Sequence, residues 1–229
     1  MQIDVFHIPD FPVVTVRSRA ANNSGQGVYH HGVDSVTAFV LAGGKSSRMH
    51  QDKAFMPWEG RILLFHALQL AKAATGNAWI AGSAEKFGSM GAVVEDIYPG
   101  CGPLAGIHAA LAATRTELNL MIAVDMPFLP LDFLKYLIAR ARESPAVVVV
   151  PEAGGGLQPL CAVYRRNFAE CAERSLRAGQ NKIDRLFDEV QTLVIDKEDL
   201  KRNGFAEEIF RNLNTEQDFK EAKLKLPAR

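Results

Sequence analysis

Val36-Thr37-Ala38-Phe39-Val40-Leu41-Ala42-Gly43-Gly44-Lys45-Ser46-Ser47-Arg48-Met49 decides how this chain is read. Val36 to Leu41 is a short apolar run, and it empties onto a glycine pair. A strand that ends this way presents backbone N–H groups with no side chain to block an anion. Lys45, Arg48 and Lys53 lie within a dozen residues and can neutralise a triphosphate, with arginine able to use two donors at once. A tight turn with its cations in water accounts for the same residues, so the glycine pair alone does not choose between the two readings. Two familiar phosphate loops are excluded. Gly44-Lys45-Ser46 imitates the end of a Walker A loop, but that loop needs glycine five positions earlier and the chain has Phe39, inside the strand. No G-x-G-x-x-G follows the strand either.

Outward from this loop, strands and helices alternate. The spacing predicts helices over 62–74, 104–113, 131–141 and 167–177 and a closing helix from Glu216. Ile62, Phe65, Leu68, Leu70 and Ala71 carry the first of these. Strands are expected at 79–81, 92–94, 118–124, 146–150, 160–164 and 192–195. The β-branched run ending at Val150 is typical of a strand covered on both faces. Short strands separated by helices of this length imply a three-layer α/β fold, a mainly parallel sheet with helices on both faces. Ligands on such sheets bind at the carboxyl ends of the strands. The loops after Leu41 and after Val124 both sit at such ends.

The 229 residues suit one large α/β domain and are too few for two of ordinary size. Hydrophobic residues at 48% and charged residues at 23% argue against disorder. Lysine plus arginine equals aspartate plus glutamate, 26 each, so no net field would hold nucleic acid or an anionic membrane. Cys101, Cys161 and Cys171 form no CxxC pair and leave one unpaired under any bridging scheme, which fits a reduced, cytoplasmic setting. No apolar run approaches the ~18 residues of a membrane helix, and Asp4 and Asp10 interrupt the N-terminal apolar residues, so no secretory signal is expected. Residues 1–34, with the linker-like Asn22-Asn23-Ser24-Gly25-Gln26-Gly27, read as a peripheral extension; the domain proper is expected over 35–229.

Met121-Ile122-Ala123-Val124-Asp125-Met126-Pro127 is an apolar strand emptying onto a carboxylate. Magnesium takes oxygen ligands, one or two carboxylates plus substrate phosphates, and Asp125 is placed for that role. Capping the turn beside Pro127 would explain it equally well. His66 and His108 fall in apolar helical patterns and read as packed. Thr215 and Asp218 match a capping box.

The segment Leu41-Ala42-Gly43-Gly44-x-Ser46-x-Arg48-Met49-x-x-Asp52-Lys53 resembles the signature of the MobA-type molybdenum cofactor guanylyltransferases, within the wider nucleotidyltransferase superfamily. The resemblance spans roughly residues 35–225, with several motifs in the family's order. It implies a Rossmann-like nucleotidyltransferase fold, GTP and molybdopterin cofactor as substrates, and Mg2+ as cofactor. Transient contact with molybdoenzymes or cofactor chaperones is also implied. Carried over residue by residue, Leu41, Ala42, Gly43 and Gly44 bind nucleotide, and Arg48 and Lys53 hold phosphates. Asp125 holds magnesium, which makes Lys53, Arg48 and Asp125 the catalytic set. Gly102-Pro103-Leu104-Ala105-Gly106 looks like the guanine-selecting segment, with Asp96 the candidate acceptor for the guanine N1–H and N2–H edge. Ser83 stands roughly where the family often has asparagine near the nucleotide. Gln158, in Gly155-Gly156-Leu157-Gln158-Pro159-Leu160, and the pair Asn212 and Asn214 fall on the acceptor side. The chain departs from the pattern twice. His50 replaces the glycine after Arg-Met, where a Cβ is strained if φ is positive, and Glu216 replaces the proline after Thr215. A cytidylyl- or sugar-phosphate nucleotidyltransferase and a non-catalytic nucleotide-binding or cofactor-delivery module remain the alternatives.

Overall fold

The structure is a computed structural model that describes residues 15–16, 35–43 and 52–225. Eleven strands are present among them: β1 Thr15–Val16, β2 Val36–Leu41, β3 Pro57–Trp58, β4 Arg61–Ile62, β5 Ala78–Ala81, β6 Val93–Val94, β7 Leu118–Ala123, β8 Val148–Ala153, β9 Gly156–Leu157, β10 Cys161–Arg165 and β11 Thr192–Ile195. The helices are α1 Leu63–Thr75, α2 Ala84–Phe87, α3 Pro103–Ala113, α4 Leu131–Glu143, α5 Phe168–Arg177, α6 Lys197–Arg202 and α7 Glu216–Lys225. The principal sheet runs β1-β6-β5-β2-β7-β10-β8-β11, with β9 paired onto β8 and β3–β4 a separate hairpin. It is mainly parallel. Only β10 and the short β9 run against their neighbours.

The core explains why these sequences became buried strands. Val36, Ala38 and Val40 of β2 join one apolar cluster with Leu63, Leu64, Ala67 and Leu68 of α1 and Phe133, Leu134 and Leu137 of α4. Phe39 and Leu41, on the opposite face, join Leu104, Ile107 and Leu111 of α3 and Phe168 and Ala172 of α5. The period of two along the strand thus feeds two helical layers. β8 does the same, with Val149 on the first face and Val148 and Val150 on the second.

Local chemistry sets several boundaries. Helix α1 stops at Gly76, whose φ of 79° is the left-handed cap that glycine takes without Cβ strain, and its N–H reaches the Lys72 carbonyl at 2.7 Å. The buried stripe of α1 is Leu63, Leu64, Ala67, Leu68 and Ala71. Ile62, Phe65 and Leu70, which the sequence pattern had included, are only partly buried against it. Helix α3 opens with Gly102 at φ 74° and Pro103 in its first turn.

The topology places the site. From β2 the chain moves through β5 to β6 on one side, then returns to β7 on the other. Open α/β sheets bind ligands at such a switch point, outside the carboxyl ends of the strands. β2, β5, β6, β7 and β8 all end on the same edge, since β10 reverses direction and β8 reverses it back. Of the N-terminal extension, Thr15–Val16 adds to this sheet as an edge strand beside β6; the rest of residues 1–34 lies outside the described residues.

Candidate active site

Asp125 lies two residues beyond β7, at the carboxyl edge beside the end of β2; the Val124 N–H donates to the Leu41 carbonyl at 3.2 Å. Across from it, Lys53 opens a short 3-10 turn, Lys53–Phe55. Its Nζ donates to Asp125 Oδ2 at 2.9 Å and to Asn214 Oδ1 at 2.6 Å. Three segments separated by 72 and 161 residues therefore meet at one ammonium. The side chains of Lys53 and Asp125 are 20% and 19% exposed, so the pair is partly withdrawn from water yet open to a ligand.

Each member is held from outside the cluster. The Asp52 carboxylate accepts the Ala54 N–H at 3.2 Å through one oxygen and pairs with Lys86 of α2 at 2.9 Å through the other. Phe55 stacks on Phe87 of the same helix, centroids 5.7 Å apart. The backbone of Lys53 is thereby pinned to α2 on both sides. Asn214 is brought in by its own backbone: the Leu213 N–H donates to the Asp125 carbonyl at 2.9 Å. Asp218 receives the N–H groups of Asn214 and Thr215 at 2.9 and 2.8 Å, and its own N–H donates to Thr215 Oγ1 at 3.1 Å. This is the reciprocal capping box that the sequence indicates. The Asn214 N–H first of all, with Thr215, holds the Asp218 carboxyl below its usual range. Beneath Asp125, the His66 Nε2 donates to the Pro127 carbonyl at 3.0 Å, since that oxygen can only accept. The ring packs edge-on near Trp58, and burial lowers its pKa. His66 is thus a brace for the Asp125 turn, a role that a packed-residue reading misses. Its sequence context, an apolar helix, carries no sign of it.

Asp96 stands apart from this cluster, after β6. It is half-buried, and burial alone pushes its carboxyl up. No hydrogen-bond partner for it is found among the described residues. A Cβ placed on Gly106 of α3 would lie 3.6 Å from Leu41 Cδ2 and 3.7 Å from Asp96 Oδ1, so this glycine keeps a gap between the two. The loop that follows is tied down by Tyr98, whose hydroxyl donates to Glu173 at 3.1 Å and accepts from Arg177 at 3.2 Å, and whose ring packs edge-on against His108.

The remaining expectations fall in several places. Leu41, Ala42 and Gly43 end β2, with the Ala42 N–H donating to the Ala81 carbonyl at 2.9 Å. Gly102 caps α3. Ser83 caps α2, its Oγ accepting the Lys86 N–H at 3.4 Å, so its visible work is structural. Gln158 closes the β8–β9 turn, donating to the carbonyls of Ala153 and Gly156 at 2.9 and 3.4 Å. It borders a cavity of about 300 Å3 with Gly154, Glu207, Glu208, Phe210 and Arg211. Asn212 has a buried Oδ1 with no partner among the described residues. Gly44, Arg48 and His50 lie outside the described residues.

The Lys53 ammonium already rests between two accepting oxygens, a carboxylate from Asp125 and an amide oxygen from Asn214, and oxygens of this kind fit a hard metal ion. Among the described residues, no group of three His, Cys, Asp or Glu side chains could hold a metal unaided.

Comparison with known proteins bears on the family and the fold. The profile of the MobA-like NTP transferase domain matches residues 38–193. A protein of Pelotomaculum thermopropionicum named "probable molybdenum cofactor guanylyltransferase" is 34% identical over 190 residues, 82% of this chain and 92% of that protein. The molybdenum cofactor guanylyltransferase of Desulfosudis oleivorans is 31% identical over 199 residues, 86% of this chain and 98% of its own. Among solved structures, molybdopterin-guanine dinucleotide biosynthesis protein A from Archaeoglobus fulgidus superposes with a TM-score of 0.73 at 27% identity, covering 82% of this chain and 97% of that one. No helix among the described residues is long and apolar enough to cross a membrane. With the domain match covering most of its length, the chain belongs to the MobA-like NTP transferase family.

Proposed function

We propose that this protein transfers GMP from GTP to molybdopterin cofactor, giving the guanine dinucleotide form and pyrophosphate, with Mg2+ held at Asp125. The observation that carries the reading is the meeting of Lys53, Asp125 and Asn214 at the switch point of the sheet. The terminal phosphate oxygen of the pterin attacks the α-phosphorus of GTP. The new P–O bond forms as the bond from the α-phosphorus to the bridging oxygen breaks, and pyrophosphate leaves with that electron pair. Such a displacement asks for alignment and charge neutralisation and needs no protein nucleophile.

Each residue then has a physical task. Leu41, Ala42, Gly43 and Gly44 offer backbone to the nucleotide, and Lys53 and Arg48 offset charge on the phosphates. Asp125, with Asn214 beside it, would hold the metal, which when bound supplies electrostatic stabilisation of phosphate charge. Asp96 accepts from the guanine N1–H and N2–H edge, and Gly102 shapes the loop around it. Ser83 acts through the α2 cap that fixes Lys86 and, through it, Asp52. Gln158, Asn212 and Asn214 face the acceptor side, where the cavity beside Arg211 gives room for a second substrate. Residues 35–229 form the catalytic domain, with 1–34 an extension. The proposal extends to work in the cytoplasm, with transient hand-over to molybdoenzymes or cofactor chaperones.

A panel of GTP, ATP and CTP, each with molybdopterin cofactor and Mg2+, in a pyrophosphate-release assay tests the reading. Turnover dependent on the pterin and strongest with GTP is expected. Equal release from CTP, or release without the pterin, would discard it.

A further inference from the structure

We propose that Lys53 has a second duty: in the nucleotide-free protein its ammonium holds the metal position closed, and a triphosphate opens it by drawing that ammonium away. The proposal rests on the reading of Asp125 as the metal-binding carboxylate.

The geometry is specific. Lys53 Nζ is 2.9 Å from Asp125 Oδ2 and 2.6 Å from Asn214 Oδ1, the two oxygens that a metal ion would use. Two of its three N–H donors are spent on them. A divalent cation at the same oxygens would meet a like charge at hydrogen-bonding distance, beside Lys53 and Asp125 side chains that are only about one-fifth exposed, with Asn214 on the open side. The ion and the ammonium exclude each other.

The surroundings restrict what can move. Asp52, pinned to Lys86 and to the Ala54 N–H, and Phe55, stacked on Phe87, fix the backbone at Lys53. Asn214 is fixed by the Leu213–Asp125 backbone bond and by Asp218. Asp125 belongs to a turn braced by His66. The four-carbon stem of Lys53 is the flexible part, and it is long and rotatable enough to swing toward phosphates. A triphosphate brings several negative charges and takes the ammonium; Asp125 and Asn214 are then released to a divalent ion. Metal entry is thereby coupled to nucleotide entry. By linkage, each must tighten the other's binding.

The experiment uses the full chain and Mn2+ alone as probe, with binding followed by electron paramagnetic resonance or calorimetry. Wild type is compared with Lys53→Met, Lys53→Arg, Asp125→Asn and the Lys53→Met/Asp125→Asn double variant. Without nucleotide, Lys53→Met should bind one Mn2+ at least about tenfold more tightly than wild type, because no ammonium has to be displaced. Lys53→Arg, which keeps the charge, should stay as weak as wild type, and the double variant should lose the gain. Lys53→Met binding Mn2+ no better than wild type overturns the exchange, as does an equal gain in Lys53→Arg. The metal reading itself is judged separately: with GTP present, Mn2+ binding unchanged by Asp125→Asn would discard that reading.

Discussion

Replacing Asp96 by asparagine separates a functional carboxylate from a merely tolerated one. Its carboxyl is half-buried and lacks any partner among the described residues, and burial raises its pKa. A guanine ring offers N1–H and N2–H to such a group, two charge-assisted hydrogen bonds worth roughly 1.5–3 kcal/mol each. Asparagine retains one acceptor and turns an NH2 toward the second donor. The loss for GTP is then about 2–4 kcal/mol, or about 30- to 1,000-fold in the preference for GTP over ATP. The assay is kcat/KM for pyrophosphate release with each triphosphate. A preference that stays within about threefold of wild type refutes the assignment, because a site built on buried hydrogen bonds discriminates far more strongly.

The same variant makes an opposite prediction for stability. In the folded, empty protein burial raises the Asp96 pKa above its unfolded value. A raised carboxyl contributes stability that is fully present below the unfolded pKa and is lost as pH rises through the folded one. Asparagine is neutral throughout. Asp96→Asn should therefore melt higher than wild type at neutral pH, and the advantage should vanish in acid, below the ordinary aspartate range. The wild-type preference for GTP should weaken as pH falls through the raised pKa, while that of the variant stays flat. A less stable variant at neutral pH would show that the carboxylate is held by partners in the fold.

Asp125→Asn should fold normally and lose most metal-dependent turnover, about 2–4 kcal/mol of transition-state stabilisation; near-normal kinetics at limiting Mg2+ would remove it from the metal site. Lys53→Ala should weaken GTP far more than guanosine in calorimetric titrations, since the ammonium is assigned to phosphate, and equal weakening would assign it to the fold or the base. Gly102→Ala forces a Cβ onto a residue at φ 74°, so urea denaturation should show a loss of about 1–2 kcal/mol; no loss would mean that the α3 cap relaxes freely.

What the sequence makes legible here is what local chemistry decides. Val36–Leu41 had to be a doubly covered strand because every residue in it is apolar or small enough to bury, and both of its faces do meet helices. Gly102-Pro103 had to open a helix, and Thr215 with Asp218 had to cap one, because those residues satisfy the first turn themselves. The carboxyl-edge position of Asp125 follows from an apolar run ending on a charge. The reversal of β10 was not legible, because the composition of Cys161–Arg165 carries no direction: that is set by pairing with β8, 14 and 16 residues away, and with β7, 39 and more residues away.

The pairing of Lys53 with Asn214 was equally hidden, and the reason bears on how such sites should be read. Asn212-Leu213-Asn214 carries no pattern that names a partner 161 residues earlier. What fixes the contact is a backbone bond from Leu213 to the Asp125 carbonyl, and Leu213 is fully buried in the same cluster as Met126 and Leu129. A core leucine therefore sets the position of the amide that meets Lys53. Truncating it would cost stability as any buried leucine does, roughly 2–5 kcal/mol, and would also withdraw Asn214 from the cation. Leu213, the apolar residue between the two asparagines, is the one anchored in the core. Here that residue joins the C-terminal segment to the carboxylate of the site.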